Sequence, residues 1–211
     1  MALYGILKTS GNTGQNSELQ AIFSTPLRII SNAPAFVSDT VSLKRRTNSQ
    51  GVQRWEIEAA MMLENNSADF LAHNVRYNFT RTIYIRMPQP YRSTGRFAAG
   101  LTVRANGGIS TGSETISIKG VGALLPPVGE FITFTGSSKV YCITSATIPV
   151  GGVSTVTVHP KMLSTVADNT IVVTGDSVTM LARYDSDNVL GVTYRDGMLA
   201  DPGTFKFVEE L

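Results

Sequence analysis

Residues 52–63, VQRWEIEAAMML, constrain the fold more than any other stretch of the chain. Trp55, Ile57, Ala59, Met61 and Leu63 alternate with polar positions that include Glu56 and Glu58. A period of two places alternate side chains on opposite faces of an extended backbone, so the segment predicts a half-buried strand. Residues 79–87, FTRTIYIRM, repeat the pattern: Phe79, Arg81, Ile83, Ile85 and Met87 share one face, Thr80, Thr82, Tyr84 and Arg86 the other. Residues 27–30 and 36–46 read as two further strands around an Asn-Ala-Pro loop, and residues 48–51, NSQG, as a turn. Only residues 65–78 break the alternation. There Ser67 suits a helix N-cap and Asp69 its first turn, while Leu71, Val75 and Asn78 follow a helical period, as do Phe70, Asn74 and Tyr77.

From about residue 97 the texture shifts to Gly, Ser, Thr and Val. Short strands are predicted at 101–105, 115–118, 131–135, 140–144, 153–158 and 170–173, with 178–182 as a seventh strand or as the exit. Their regular spacing suits a small closed barrel or sandwich. In residues 129–146, GEFITFTGSSKVYCITSA, a three-residue Gly-Ser-Ser turn separates two of these strands, and residues 162–169 suit a connecting helical turn. Residues 189–194 and 204–211 then read as two closing strands. A two-stranded tail is marginal by itself and needs a partner sheet. The simplest solution pairs it with the first half. The chain is then mainly β, with a discontinuous domain of residues 1–97 and 183–211 and an inserted barrel of residues 98–182.

Charge supports that division. Residues 1–97 hold eleven Lys and Arg against six Asp and Glu, residues 98–182 four of each, and residues 183–211 three against six. The ends are thus of opposite sign (+5 and −3) around a neutral middle, and can attract each other within one chain or between subunits. The N-terminal stretch MALYGILKTSGNTGQNS turns polar before a signal-peptide core develops, and no run approaches the roughly 18 apolar residues of a membrane span. Cys142 is the only cysteine, which leaves no disulfide framework. The expected setting is a reducing cytosol, with no membrane partner.

Reactive constellations are scarce. His73 and His159 are the only histidines and form no His-Glu-x-x-His motif, and no Gly-x-Ser-x-Gly elbow occurs. The pairs Gly107-Gly108 and Gly151-Gly152 lack the Lys-Ser/Thr of a phosphate loop. Residues 183–191, RYDSDNVLG, open like a calcium loop, but Leu190 stands where glycine is needed and Asp196 where a bidentate Glu is usual. No catalytic residue, cofactor or metal is expected. The barrel segment is net neutral and its only aromatics are Phe131, Phe134 and Tyr141, which gives nucleic acid little to hold. Tyr141 is the one candidate ligand contact, provided that it faces outward. Lys44, Arg45 and Arg46 read either as solvated charges that discourage edge pairing or as the basic half of a subunit interface, with Asp201, Glu209 and Glu210 as its acidic half.

PPVGEFITFTGSSKVYCITSA, followed by STVTVHPKML, resembles the inserted barrel in tail proteins of long-tailed bacteriophages. WEIEAAMM, SADFLAHNV and TIYIRMPQPYR look like the ring-forming domain of distal tail (Dit) proteins, and YDSDNVLGVTYRDGMLADPGTFKFVEEL is similar to the return of such chains to that domain. The resemblance runs from about residue 52 to 211. It implies a virion protein made in the host cytoplasm and placed at the tail tip. Its partners would be other copies of itself in a hexameric ring, the tail-tube protein, and the baseplate hub or central fibre. The ring domains would be β-sandwiches or barrels with one helix, joined edge to edge around a channel that DNA passes without specific binding. The inserted domain would be an OB-fold barrel projecting outward, where side fibres or host carbohydrate can dock. Another virion β protein (tail tube, connector or fibre attachment) and a carbohydrate- or nucleic-acid-binding module are the alternatives.

Overall fold

The fold is that of a computed structural model, which describes residues 7–9, 18–19, 22–39, 45–49, 52–62, 82–89, 101–185, 193–195, 199–201 and 204–211. The expected helix at 65–78 lies outside these residues, as do His73 and Lys44. Apart from one 3-10 turn, the regular structure of the described residues is all strand.

Seven strands form one sheet, and β6 (Arg54–Met62) holds its apolar alternation: Trp55, Ile57 and Ala59 are buried. β7 (Ile83–Arg86) buries Ile83 and Ile85, and Met87 follows on the same face. The sheet order is β2 (Glu18–Leu19), β1 (Leu7–Thr9), β7, β14 (Thr179–Tyr184), β17 (Thr204–Glu209), β6 and β3 (Ile22–Asn32). The closing strand β17 therefore lies inside the sheet, antiparallel to both β6 and β14. One rung shows the consequence. Ile29, Ile57, Phe207 and Tyr184 stand side by side across four strands, and the Tyr184 and Phe207 rings lie 5.0 Å apart. The register of β3 on β6 shifts between Ser24 and Arg28, a span that includes Pro26. Proline has no N–H to offer the ladder, which makes this the natural place for a bulge.

The second body is a nearly closed six-stranded barrel with the order β13 (Val172–Val173), β10 (Phe131–Phe134), β11 (Tyr141–Ala146), β12 (Val153–His159), β9 (Thr115–Lys119) and β8 (Arg104–Ala105). A bridge between Arg104 and Ile171 and the bonds Ala105 N to Thr170 O and Val172 N to Val103 O, each 2.9 Å, join its two ends. Its core includes Ile118, Ile132, Phe134, Tyr141, Ile143 and Val156.

Several local expectations need correction. Residues 36–46 are not one strand: β4 (Ala35–Asp39) and β5 (Arg45–Ser49) pair antiparallel, so the chain reverses between them. Asn48 and Ser49, expected in a turn, belong to β5, where Asn48 pairs with Phe36; the partner strand overrides local turn preference. Residues 162–169 form no helical turn, because Val166 bridges to Ile109 in extended form. The Gly-Ser-Ser segment is not a tight hairpin either. β10 and β11 pair only at Phe131 with Cys142 and Ile132 with Tyr141, while Thr133 and Phe134 pair with β13. Residues 178–182 serve as the exit: Thr179 onward belongs to the seven-stranded sheet. Of the strand predicted at 189–194, residues 189–192 lie outside those described, and Thr193 and Tyr194 belong to β15 (Thr193–Arg195), which pairs with β16 (Leu199–Asp201).

Candidate functional site

The densest polar chemistry among the described residues lies where the sheet meets the barrel. β17 alternates Phe205, Phe207 and Glu209 toward the interior, so its period carries a carboxylate into the core. Glu209 meets Lys139, from the barrel loop between β10 and β11, and both side chains are almost wholly removed from solvent (0% and 4% exposed). Such a pair is tolerable only when the remaining donors and acceptors are satisfied, and here they are. Glu209 also accepts from the backbone N–H of Trp55 (3.0 Å) and of Val140 (2.9 Å). Lys139 Nζ donates to Gln53 O (2.8 Å) and Gln53 Oε1 (3.0 Å). Burial pulls the Lys139 ammonium below the ordinary lysine value, and the Glu209 carboxylate opposes that.

Three further contacts complete the junction. The Trp55 indole N–H donates to Val140 O (2.9 Å), and its ring meets Phe131 edge-on at 5.2 Å. Gln89, in the stretch leaving β7, exchanges two hydrogen bonds with the Phe131 backbone, donating to its O (3.0 Å) and accepting from its N–H (2.8 Å). Gln89 also reaches Gly175 O (3.1 Å) in the 3-10 turn Gly175–Ser177, which returns the chain to β14. Outgoing and returning connections are thus tied to one barrel strand. Beside them Glu130 is buried, and burial pushes its carboxyl up to about 7 against a backbone hydrogen bond from Gly175.

The candidate residues fall as follows. Tyr141 faces inward: it is fully buried, stands edge-on to Phe134 at 6.0 Å, and its hydroxyl accepts from Leu163 N–H (3.2 Å). It is barrel core and offers no surface to a ligand. Burial raises its phenol above the ordinary value. Glu209 is withdrawn from the expected subunit interface by its burial against Lys139, and Glu210 pairs with Arg183 of its own chain. Arg45 and Arg46 stand opposite Asp39 and Ser38 in the β4–β5 hairpin, and Asp201 opposite Thr193 in the β15–β16 hairpin. His159 lies at the barrel rim, with Nε2 3.4 Å from Ser31 Oγ and its ring edge-on to Trp55 at 6.2 Å. Cys142 is half-buried, and burial raises its thiol.

A groove of about 650 Å³ opens on the outer face of the sheet, lined by Asn32, Arg54, Glu56, Asp185 and Lys206 among others. Its charges neutralise each other: Lys206 bridges Glu56 (3.1 Å) and Asp185 (3.2 Å), and Asn32 donates to Glu56 (2.6 Å). Burial pushes the Glu56 carboxyl up, but these partners outweigh it and hold the group below its usual range. Asp185 is the first acidic residue of the calcium-like stretch 183–191, and residues 186–191 lie outside those described. Among the described residues no group of three His, Cys, Asp or Glu side chains is arranged to hold a metal ion. No helix among them is long and apolar enough to cross a membrane.

Sequence reasoning missed Lys139, Gln53, Gln89 and Glu130. Two signals pointed to the pair: Glu209 shares the parity of Phe205 and Phe207, and Lys139 is the only Lys, Arg, Asp or Glu between Glu130 and Lys161. A scan against protein-family models finds no match to the chain, and a search of curated proteins finds none either.

Proposed function

We propose that this chain is a structural subunit of a bacteriophage tail, of the distal-tail ring type, and that it works by assembly rather than by catalysis. One observation carries the reading: the barrel is spliced between β7 and β14, and β17 returns to close the sheet between β6 and β14. That is the arrangement that the resemblance to distal tail proteins implies, a ring domain built from both ends of the chain with a barrel inserted. The buried Lys139–Glu209 pair and the Gln89 clamp suit this role, because they hold the barrel against the sheet through hydrogen bonds of defined direction. The proposed partners are further copies in a ring, the tail-tube protein, and the baseplate hub or fibre, with DNA passing through the channel. Burial of Tyr141 weakens the competing reading of a carbohydrate- or nucleic-acid-binding module. Antibody labelling of intact virions tests the proposal. Label at the tail tip is the expected result, and label on the head, or on purified tails nowhere, rejects it.

A further inference from the structure

Two of the hydrogen bonds that Lys139 makes at the junction end on one residue. Besides meeting the Glu209 carboxylate, its Nζ donates to Gln53 O (2.8 Å) and to the side-chain carbonyl Oε1 of the same glutamine (3.0 Å). An amine, a carboxamide and a carboxylate thus converge from the loop after β10, the residue before β6 and the end of β17, and all three residues are buried. The carboxamide is also held from its far side. Gln53 Nε2 donates to Ser31 Oγ (3.0 Å), which turns Oε1 toward the amine and Nε2 away from it. Ser31 is exposed, so the amide nitrogen points to the surface. A solvent-excluded ammonium needs acceptors, and Gln53 supplies two. The same contacts set a nucleophile against an acyl carbon whose leaving nitrogen has a way out.

An amine displaces the nitrogen of an amide when it is neutral, held at the carbonyl carbon, and when the leaving nitrogen is given a proton. Burial disfavours the ammonium and pulls Lys139 below its ordinary value, against the opposing pull of Glu209. Transfer of a proton from Nζ to Glu209 Oε2 removes two buried charges at once. The hydrogen bond to Oε1 keeps Nζ beside Gln53 Cδ. We propose that Lys139 and Gln53 join in an intramolecular isopeptide bond, with Glu209 as the group that moves the protons. Nζ gives a proton to Glu209, and its lone pair attacks Cδ. From the tetrahedral adduct Glu209 delivers that proton to Nε2 and takes a second one from Nζ. The Cδ–Nε2 bond then breaks with its electron pair on nitrogen. Ammonia departs past Ser31 and carries off the remaining proton as ammonium, so Glu209 ends as the carboxylate it began as. Nothing is oxidised or reduced, and no co-reactant is needed. The two residues stand 86 positions apart, and the bond ties barrel to sheet covalently. The ion pair is the state of the chain before this reaction, which each molecule performs once on itself. The inference stands whether or not the chain is a tail protein.

Intact mass spectrometry of the purified full chain, followed until the mass is constant, tests it. The expected result is a deficit of one ammonia against the mass that the sequence gives, absent from Lys139→Arg and from Gln53→Met. Trypsin locates the bond: residues 47–54 should be recovered joined through Gln53 to residues 120–161, uncut at Lys139. Glu209→Gln keeps amine and amide but removes the proton carrier, and should slow the reaction at least ~100-fold. Circular dichroism checks that the variants fold, and the wild-type mass decides the matter without them. A wild type that keeps its full mass overturns the proposal. Loss of water does so too, since it means an amide between Lys139 and Glu209. Loss of ammonia without the branched peptide, as a succinimide at Asn106-Gly107 produces, also overturns it. A folded Glu209→Gln that reacts as fast as the wild type removes Glu209 from the assigned role. Absence of the chain from the tail tip with the bond in place would count against the tail reading alone.

Discussion

Lys139 and Glu209 show how a few residues define the relation of two sheets that lie far apart in sequence. Removing one partner of a buried ion pair strands the other charge in the interior, at a cost of about 3–5 kcal/mol. Lys139→Met is therefore expected to lower unfolding stability by that amount in urea titration, whereas Lys139→Met/Glu209→Leu should recover part of the loss. Recovery will be incomplete, because Glu209 also satisfies the N–H groups of Trp55 and Val140. Glu130 gives the junction a pH dependence of definite sign. Its carboxyl is raised from 4.5 to about 7, so the folded state binds the proton more tightly than the unfolded chain does. The stabilisation is complete below 4.5 and is lost as pH rises through about 7. Denaturation midpoints should fall over that window, and Glu130→Gln should flatten the profile; a wild-type profile that rises there would refute the assignment. Neither residue was legible as a junction residue in the sequence. Lys139 and Glu209 stand 70 residues apart, and Trp55 and Glu209 154 apart. No local period reports a partner at that range, although the parity of Glu209 with Phe207 already pointed its side chain inward.

At the scale of elements, the strands that alternate strictly were the legible ones. β7 and β17 each bury one parity of side chain, and β6 does so for its apolar residues, with Glu56 buried on the other face; that parity is visible in the residues themselves. Turns and short strands were harder. β1 and β2 have three and two residues and carry no period to read. The Gly-Ser-Ser segment looked like a hairpin turn because its residues favour one; the β10–β11 ladder instead stops at Ile132 with Tyr141, which leaves a wider loop between the strands. Two glycines separate backbone strain from crowding. Gly136 has φ +87° with nothing near its missing Cβ, whereas Gly120 has φ +84° and a Cβ there would lie 2.5 Å from Thr102 O. Gly136→Ala is expected to cost about 1 kcal/mol from backbone strain alone. Gly120→Ala should cost clearly more, since the clashing Thr102 O is a backbone atom that no side-chain rotation can move aside. Chemical denaturation of the two variants checks the order, and equal losses would contradict it.

For the whole molecule, the change in texture near residue 97 and the need of the closing strand for a partner were legible, but the expected boundary at 182/183 falls inside β14, which the seven-stranded sheet takes up from Thr179. What was not readable is how tightly the bodies are joined. Phe131 and Val140 belong to barrel strands and loops, yet they pack into the same apolar cluster as Trp55, Ile57 and Phe207. The two bodies share core, and calorimetry should show one cooperative transition; two resolved transitions would mean that the junction adds little. A barrel held in this way suits a subunit that must present it in one orientation. The most direct test of that account is cryo-electron microscopy of the intact tail tip. The account predicts six copies around the channel between tube and hub, each with its barrel directed outward in a single orientation on its sheet. Density for the chain in the head or along the stacked tube, or no density in the particle, would contradict it.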